Sequence, residues 1–411
     1  MSFIDSKFKR MQKLFRPGGL ERARIAMVRA LPQRYLSIPV NVLPDYGRVL
    51  YEDRPACLAA RTSGPLRINW LVPSIPPASG GSFNVIRTIQ HLEAWGHENR
   101  IYALSLPGGS AHTKEMVRKN YFPINAEIEV LSDNIKDSDA LIATGWPTAY
   151  EARRIGNTGR KFYFVQDLEY MFYARGSLDE FARNTYKLGF WGITAGSWIA
   201  DVLRRDFSMN CTSFGFSYDR HAYANTGPRM LAGVKKRVLF YARPETERRG
   251  FEIGILALLL VAKKLPDVEF VLVGFPPESV QIPFPAITPG VLPLSALGSL
   301  YRSCDVALVL SHTNLSLLPL ELMACGCAVV SNSGPNTEWL LTDQISRLAT
   351  LDPESLAQAI IDTLENDDLR LRMIAAGLAF VQSTDWTRES KVIETALFAH
   401  QHEPAPFAPH V

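Results

Sequence analysis

Cysteine is scarce in this 411-residue chain: Cys57, Cys211, Cys304, Cys325 and Cys327 are odd in number and scattered through apolar segments. That excludes a disulfide scaffold and reads as reduced thiols in a cytoplasmic protein; Cys325 and Cys327, one residue apart, lack metal-ligand spacing. Long apolar runs are missing as well. The longest uncharged one, residues 253–262, is about half of what a membrane-spanning helix needs. The N-terminus has no apolar core followed by a small-residue cleavage site, so no secretory leader is expected. Asp-x-Asp occurs once, at Asp137-Ser138-Asp139 ahead of a strand, the wrong sheet edge for a metal-bound diphosphate; no metal is expected. Repeats and low-complexity tracts are absent.

What is present is the composition of a soluble globular protein, 47% hydrophobic and 21% charged, with a length that suggests two domains. The net charge of +3 conceals an asymmetry: residues 1–34 hold nine Lys/Arg against Asp5 and Glu21, which leaves the remainder at −4. With its body mildly acidic, the chain is not expected to bind nucleic acid. In "FIDSKFKRMQKLF", Ile4, Phe8, Met11 and Phe15 fall at helical spacing with Lys7, Arg10 and Lys13 between them. Such a segment suits anionic lipid headgroups, or equally a solvated first helix packed on the next domain.

From residue 66 short apolar runs alternate with helical periodicity. "INWLV" reads as a strand ending at Pro73, followed by Gly80-Gly81, Ser82 as an N-cap and a helix closed by Gly96. Strands are expected in "NRIYALS", "AEIEVL", "DALIATG", "KFYFVQD" and "FWGITAG", and helices over 148–154, 178–188 and 198–207. Residues 217–236 show no buried face. A second series then follows: "KRVLFYARP", helix 251–264, "VEFVLVGFP", a Pro-rich loop, helix 294–304, "VALVLS", helix 317–324, "AVVSN" and helices 353–365 and 368–382. This βαβ rhythm predicts an α/β protein with two doubly wound, Rossmann-like domains, whose ligands bind beyond the carboxyl ends of the strands. The expected divisions are a basic extension over 1–45, domains over 46–222 and 223–383, and a helix with tail over 384–411.

The strand exits of the second series carry the chemistry. Arg243 follows a strand, and Arg248, Arg249 and Gly250 open a helix whose dipole there prefers negative charge. Cations in that position point to a phosphate ligand. Gly274 ends the next strand where a side chain would block close approach. In "HTNLSLLPLELMACGCAVV", Ser316 is a candidate N-cap, Pro319 fits the first turn, and the amides near Leu317 and Leu318 face the cleft. Glu321, one turn in, taken alone reads first as a carboxylate favouring the helix dipole, and it could also accept from a sugar hydroxyl or a ribose diol.

These elements resemble the nucleotide-binding domain of family 4 glycosyltransferases of GT-B fold. The family's GR…KG element is similar to Ala242-Arg243…Arg249-Gly250, with Arg249 for the usual Lys. The family's LP-x-LE-A-x-ACG-x-PVV is similar to residues 317–330. "GVLPLSALGSLYRSCDVALVLS" resembles the loop, helix and strand before that motif, which implies that the backbone near Val291 and Leu292 meets the base. In the first half, which resembles the acceptor domain, Gly80, Gly81 and Ser82 would let the backbone approach the donor phosphate or the acceptor, "FVQD" resembles an inner strand end, and "DWTRES" the tryptophan-led helix that crosses back.

Two departures stand out. The E-x7-E pair has Thr313 where its first Glu belongs, and the usual His is replaced by Gln166 and Asp167 in "YFVQDLEYMFY". Both lost groups would contact donor-sugar hydroxyls. These segments look most like the bacterial rhamnosyltransferase branch typified by WsaF. A 6-deoxy sugar is compatible with one contact fewer.

The resemblance implies metal-independent, retaining transfer of a sugar, L-rhamnose from dTDP-rhamnose, to a bacterial surface glycan or lipid-linked glycan, with no cofactor. Arg243, Arg249 and the amides near Leu317 and Leu318 would neutralise the leaving diphosphate, while Glu321 holds the ribose. Asp167 or Glu169 is an alternative base or nucleophile. It also implies a cytoplasmic enzyme, peripheral on the inner membrane face where the basic N-terminus meets lipid. Rival readings are a GT-like module that binds without turnover and a GT-B sugar-nucleotide epimerase; sugar release that depends on an acceptor separates transferase from both.

Overall fold

Continuous apolar runs with almost no alternation make the strands of this chain suited to burial on both faces, and the computed structural model shows that arrangement twice. It describes residues 42–77, 79–223 and 235–399. Strands β1 (Arg67–Val72), β2 (Glu98–Ala103), β3 (Glu127–Val130), β4 (Ala140–Ala143), β5 (Lys161–Val165), β6 (Trp191–Ala195) and β7 (Cys211–Phe214) form one sheet in the order β3-β2-β1-β4-β5-β6-β7. Strands β8 (Arg237–Tyr241), β9 (Glu269–Val273), β10 (Ile287–Gly290), β11 (Val306–Val309), β12 (Ala328–Asn332) and β13 (Arg347–Ala349) form a second, β10-β9-β8-β11-β12-β13. Every pairing is parallel. Both sheets reverse direction beside their first strand, the point where such folds place a ligand crevice.

The helices lie close to the expected spans, and Phe251–Lys264 coincides with its span. Ser82 is not the N-cap of its helix, however. That helix runs Gly80–Ala94, and the Ser79 hydroxyl accepts the Ser82 amide at 3.4 Å. The glycine pair thus lies inside the first turn rather than in the loop. Three strands and three helices among the described residues escaped the sequence reading for physical reasons; two of the helices, Val42–Tyr46 and Pro335–Glu338, have only five and four residues. β7 is a half-polar edge strand, and β10 contains Pro289, which an edge tolerates because its missing N–H has no partner to lose. β13 has only three residues, and helix Gly109–Asn120 buries only Thr113 and Val117. Within 217–223, Ser217, Tyr218 and Tyr223 are buried, which corrects the expectation that this stretch has no buried face. The amphipathic basic segment of residues 1–34 lies outside the described residues.

Helix Trp386–Ala399 packs on β7 and on helix Gly80–Ala94 of the first sheet. Glu389 accepts the Gly215 amide at 2.5 Å, and Arg160 donates to the carbonyls of Leu397 and Phe398 at 2.7 Å each, closing the helix end. His97 takes the Leu66 amide on Nδ1, so its Nε2 carries the proton that faces Glu394 at 3.0 Å.

Candidate functional site

The second sheet's carboxyl edge is cationic. After β8, Arg243 is exposed beside the Tyr241 ring, 5.1 Å from its centroid. A 3-10 turn, Glu247–Arg249, then presents two more arginines, and Gly250 in left-handed conformation starts helix Phe251–Lys264. Arg249 donates through one nitrogen to the Ser311 hydroxyl at 2.7 Å and to the Asn314 carbonyl at 3.0 Å. Burial pulls its pKa down to about 10, Arg248 and Arg243 add repulsion, and Asp167 opposes them; it stays charged at neutral pH. Arg248 lies over the Phe172 ring at 4.1 Å, and its buried Nε–H has no hydrogen-bond acceptor. Three mutually repelling guanidinium groups at one strand edge are stabilised by an anion placed among them.

Gly274 sits at φ 109°, donates its amide to the Gly290 carbonyl at 3.0 Å, and leaves no room for a Cβ, which would lie 2.8 Å from the Ala242 carbonyl oxygen. Its role here is to let β9 close on the β8 exit. Just past Gly290, Val291 is exposed while Leu292 packs partly on the core.

Below the arginines, helix Leu318–Ala324 has Leu317 as its N-cap residue. Ser316, expected as the N-cap, stands one residue before it, yet its hydroxyl accepts the Leu318 amide at 3.4 Å. Glu321 is half-buried and accepts a hydrogen bond from the Tyr223 hydroxyl. Burial raises its pKa to about 7, against the pull of Tyr223, Arg87 and Arg243. Tyr223 in turn stacks on Tyr301 at 5.8 Å with rings 9° apart.

The first sheet's edge meets this one directly. Asp167 is buried and accepts from the Thr313 hydroxyl at 2.8 Å, the Asn314 amide at 3.0 Å and the Leu168 amide at 2.9 Å. Thr313, expected on the donor, and Asp167, expected on the sugar or acceptor, are therefore bonded to each other. Gln166 faces its own domain instead, donating to the Gly81 carbonyl at 3.1 Å and accepting from Asn84 at 2.9 Å. Gly80 has open space where a side chain would stand. Glu169 accepts from the Trp146 amide at 2.5 Å and the Tyr163 hydroxyl at 3.0 Å; burial raises its pKa to about 7. Asp137 and Asp139 stand away at the opposite edge, where Asp139 pairs with Arg67 at 2.9 Å.

Sequence reasoning missed Asn314 and Arg87. Asn314 has no exposed surface; its amide donates to the carbonyls of Gln166 at 3.0 Å and Ala195 at 2.8 Å, and it accepts from the Trp339 indole at 3.0 Å. Arg87 is 7% exposed, clamped between the rings of Phe122 and Trp386 at 4.6 and 4.5 Å. Burial lowers its pKa to about 10, while Asp219, Glu321 and Tyr223 hold it charged. An arginine within the apolar run "NVIRTI" was the available sign.

Two parallel Rossmann-like sheets that meet edge to edge, one of them lined with arginine, define the GT-B architecture. Residues 236–361 match the family described as WsaF, C-terminal domain. The chain has the GT-B fold, and its second domain matches the WsaF type. It is 36% identical over 256 residues to the O-antigen biosynthesis protein RfbC of Myxococcus xanthus, a match covering 61% of this chain and 20% of that protein. It is 31% identical over 166 residues to the phosphatidyl-myo-inositol mannosyltransferase of Mycobacterium tuberculosis (strain ATCC 25618 / H37Rv), 37% of this chain and 44% of that one. The chain thus spans about a fifth and under half of the lengths of these relatives. Among solved structures, WaaG, a glycosyltransferase involved in lipopolysaccharide biosynthesis, superposes with TM-score 0.62 at 11% identity over 81% of this chain and all of that one. Anabaena Alr3699/HepE in complex with UDP and glucose gives 0.62 at 17% identity over 82% of this chain and all of that one. These two likenesses speak for the fold.

Proposed function

We propose that the protein is a glycosyltransferase of surface-glycan biosynthesis that moves a sugar from a nucleoside diphosphate to a glycan hydroxyl. The observation that carries this reading is the cluster of Arg243, Arg248 and Arg249 at one strand edge, with the half-buried Glu321 below it. The cluster answers the charge that grows on a departing diphosphate, a preorganised electrostatic role that needs no movement at the moment of reaction. Glu321 accepts from the pentose of the nucleotide, from one hydroxyl where that pentose is deoxyribose. The acceptor oxygen forms its bond to the anomeric carbon as the carbon–phosphate oxygen bond breaks. The electron pair leaves with the diphosphate, whose oxygen takes the acceptor's proton on the same face, retaining configuration. The relatives named for O-antigen synthesis and for mannosyl transfer support the reaction class.

The sugar of this reading is L-rhamnose carried by dTDP. The WsaF-type second domain supports it, and so does Thr313, whose hydroxyl is committed to Asp167 instead of to a sugar. The acceptor is a growing glycan, lipid-linked where the basic segment of residues 1–34 meets anionic headgroups. Thermal stabilisation by dTDP, UDP and GDP, followed by turnover of their sugars with and without acceptor, tests both levels. A dTDP shift lost in Arg243→Ala, with dTDP-rhamnose consumed only when acceptor is present, is the expected result. Preference for UDP or GDP overturns the sugar and keeps the transferase. Binding without turnover favours a non-catalytic module.

A further inference from the structure

The contact between the two sheets is polar, buried and centred on one carboxylate. Asp167 takes three hydrogen bonds, two of them from the second domain's loop after β11. It is also the carboxylate whose field steadies both arginines of the turn Glu247–Arg249: it opposes the depressed pKa of Arg249 and that of Arg248. Neither arginine hydrogen-bonds to it, and Arg248 makes only a long ion pair with it. Arg248 Nε stops 3.7 Å from Asp167 Oδ2, and Arg249 spends one nitrogen on Ser311 and Asn314. Asp167 therefore neutralises the cluster from the first domain without filling the place of a ligand. The loop that carries Thr313 and Asn314 is itself pinned: Asn336 donates to the carbonyls of Ser311 and Thr313 at 2.9 and 2.7 Å, and Asn332 accepts the Ser311 amide at 2.9 Å. It transmits a change at Asp167 instead of absorbing it.

We infer that Asp167 is a positioning residue that couples anion binding on the second domain's arginines to the docking of the two domains. With the arginines vacant, Asp167 is their counter-charge and the domains are drawn together. A diphosphate among the arginines supplies that charge instead and repels Asp167, so the attraction across the contact falls. By linkage the effect is reciprocal: whatever weakens Asp167 as counter-charge strengthens the anion. Donor arrival then loosens the contact and departure of the nucleotide tightens it. The inference rests on the arginine cluster being a diphosphate site.

The test uses inorganic pyrophosphate, UDP and dTDP as probes of the full chain, by calorimetry and hydrogen exchange. Asp167→Asn should bind pyrophosphate about tenfold more tightly than the unaltered protein, within the usual range of such couplings. Thr313→Val keeps the charge and loses one hydrogen bond, so it should loosen the domains and, by the same linkage, tighten the anion by less than Asp167→Asn does. In the unaltered protein, whose folding is not in question, pyrophosphate should speed amide exchange at Asn314. Equal or weaker binding by Asp167→Asn, or unchanged or slower exchange at Asn314 with pyrophosphate bound, overturns the coupling and leaves the transferase reading standing. Failure of the unaltered protein to bind any of the three probes overturns the diphosphate site, and the coupling with it.

Discussion

The two sheets present opposite kinds of edge to one another. That of the second is cationic and carries little of its own compensation: three arginines repel one another, and one buried guanidinium N–H has no acceptor. That of the first is acidic and amide-rich, and its polar groups are largely spoken for. Gln166 is tied to Gly81 and Asn84, Asp167 to Thr313 and Asn314, and Glu169 to Trp146 and Tyr163. An edge with unmet charge is built to receive a ligand; an edge with met hydrogen bonds is built to hold a shape. On the proposed reading, binding and geometry are thus divided between the domains.

The sharpest way to break this division is Arg249→Ala, which should lower transfer by about 10²- to 10³-fold, as removal of a preorganised oxyanion donor does. Single-turnover rates with a saturating nucleotide sugar check it. Asn314→Ala acts on the contact itself, where the second domain's loop after β11 reaches the first sheet's edge. It deletes both amide donations and the acceptor of Trp339, and should destabilise the protein by about 3 kcal/mol in urea unfolding. If it instead cost only nucleotide affinity, the contact between the two edges would be a binding surface after all. Gly274→Ala forces a Cβ against the Ala242 carbonyl at φ 109° and should cost about 2 kcal/mol, read as a lower melting temperature.

The smallest expected effect, about tenfold, belongs to Glu321→Gln and depends on pH. Burial raises the Glu321 pKa to about 7, so its carboxylate accumulates only above neutrality, and UDP affinity should rise as pH passes through 7. The variant should show a flat profile. The sign for stability is opposite. A carboxyl whose pKa rises on folding from its ordinary 4.5 stabilises below that value, and the contribution is lost as pH climbs to about 7. Without ligand, Glu321→Gln should therefore raise the melting temperature at pH 8 and leave it little changed at pH 4.

How much of this was legible depended on how local each feature is. Both parallel sheets followed from runs such as residues 68–72 and 306–309, whose neighbours along the chain decide their burial. The arginine turn and helix Leu318–Ala324 were also legible, because a cation beside a glycine at a helix start and a proline in a first turn are short-range conflicts or preferences. The contact of Asp167 with Thr313 and Asn314 was not, since it joins residues about 146 positions apart and neither end is unusual alone. Taken separately, Thr313 and Asp167 looked like lost sugar contacts; together they are a bond. Cap positions slipped by one to three residues at Ser316 and Ser82, where a neighbouring hydroxyl or glycine served equally well.

Helix Trp386–Ala399 has a consequence for the order of assembly. It finishes the first domain: its leading indole clamps Arg87, Glu389 fills the amide at Gly215, and Arg160 seals its last carbonyls. On the ribosome that helix emerges only after the entire second domain has been made. The nascent first domain therefore waits with Arg87 and its neighbouring apolar surface uncovered while roughly 150 more residues are translated, at about 5–20 residues per second. Any cut between the two domains, however well placed in a loop, separates the first from a piece of its own wall.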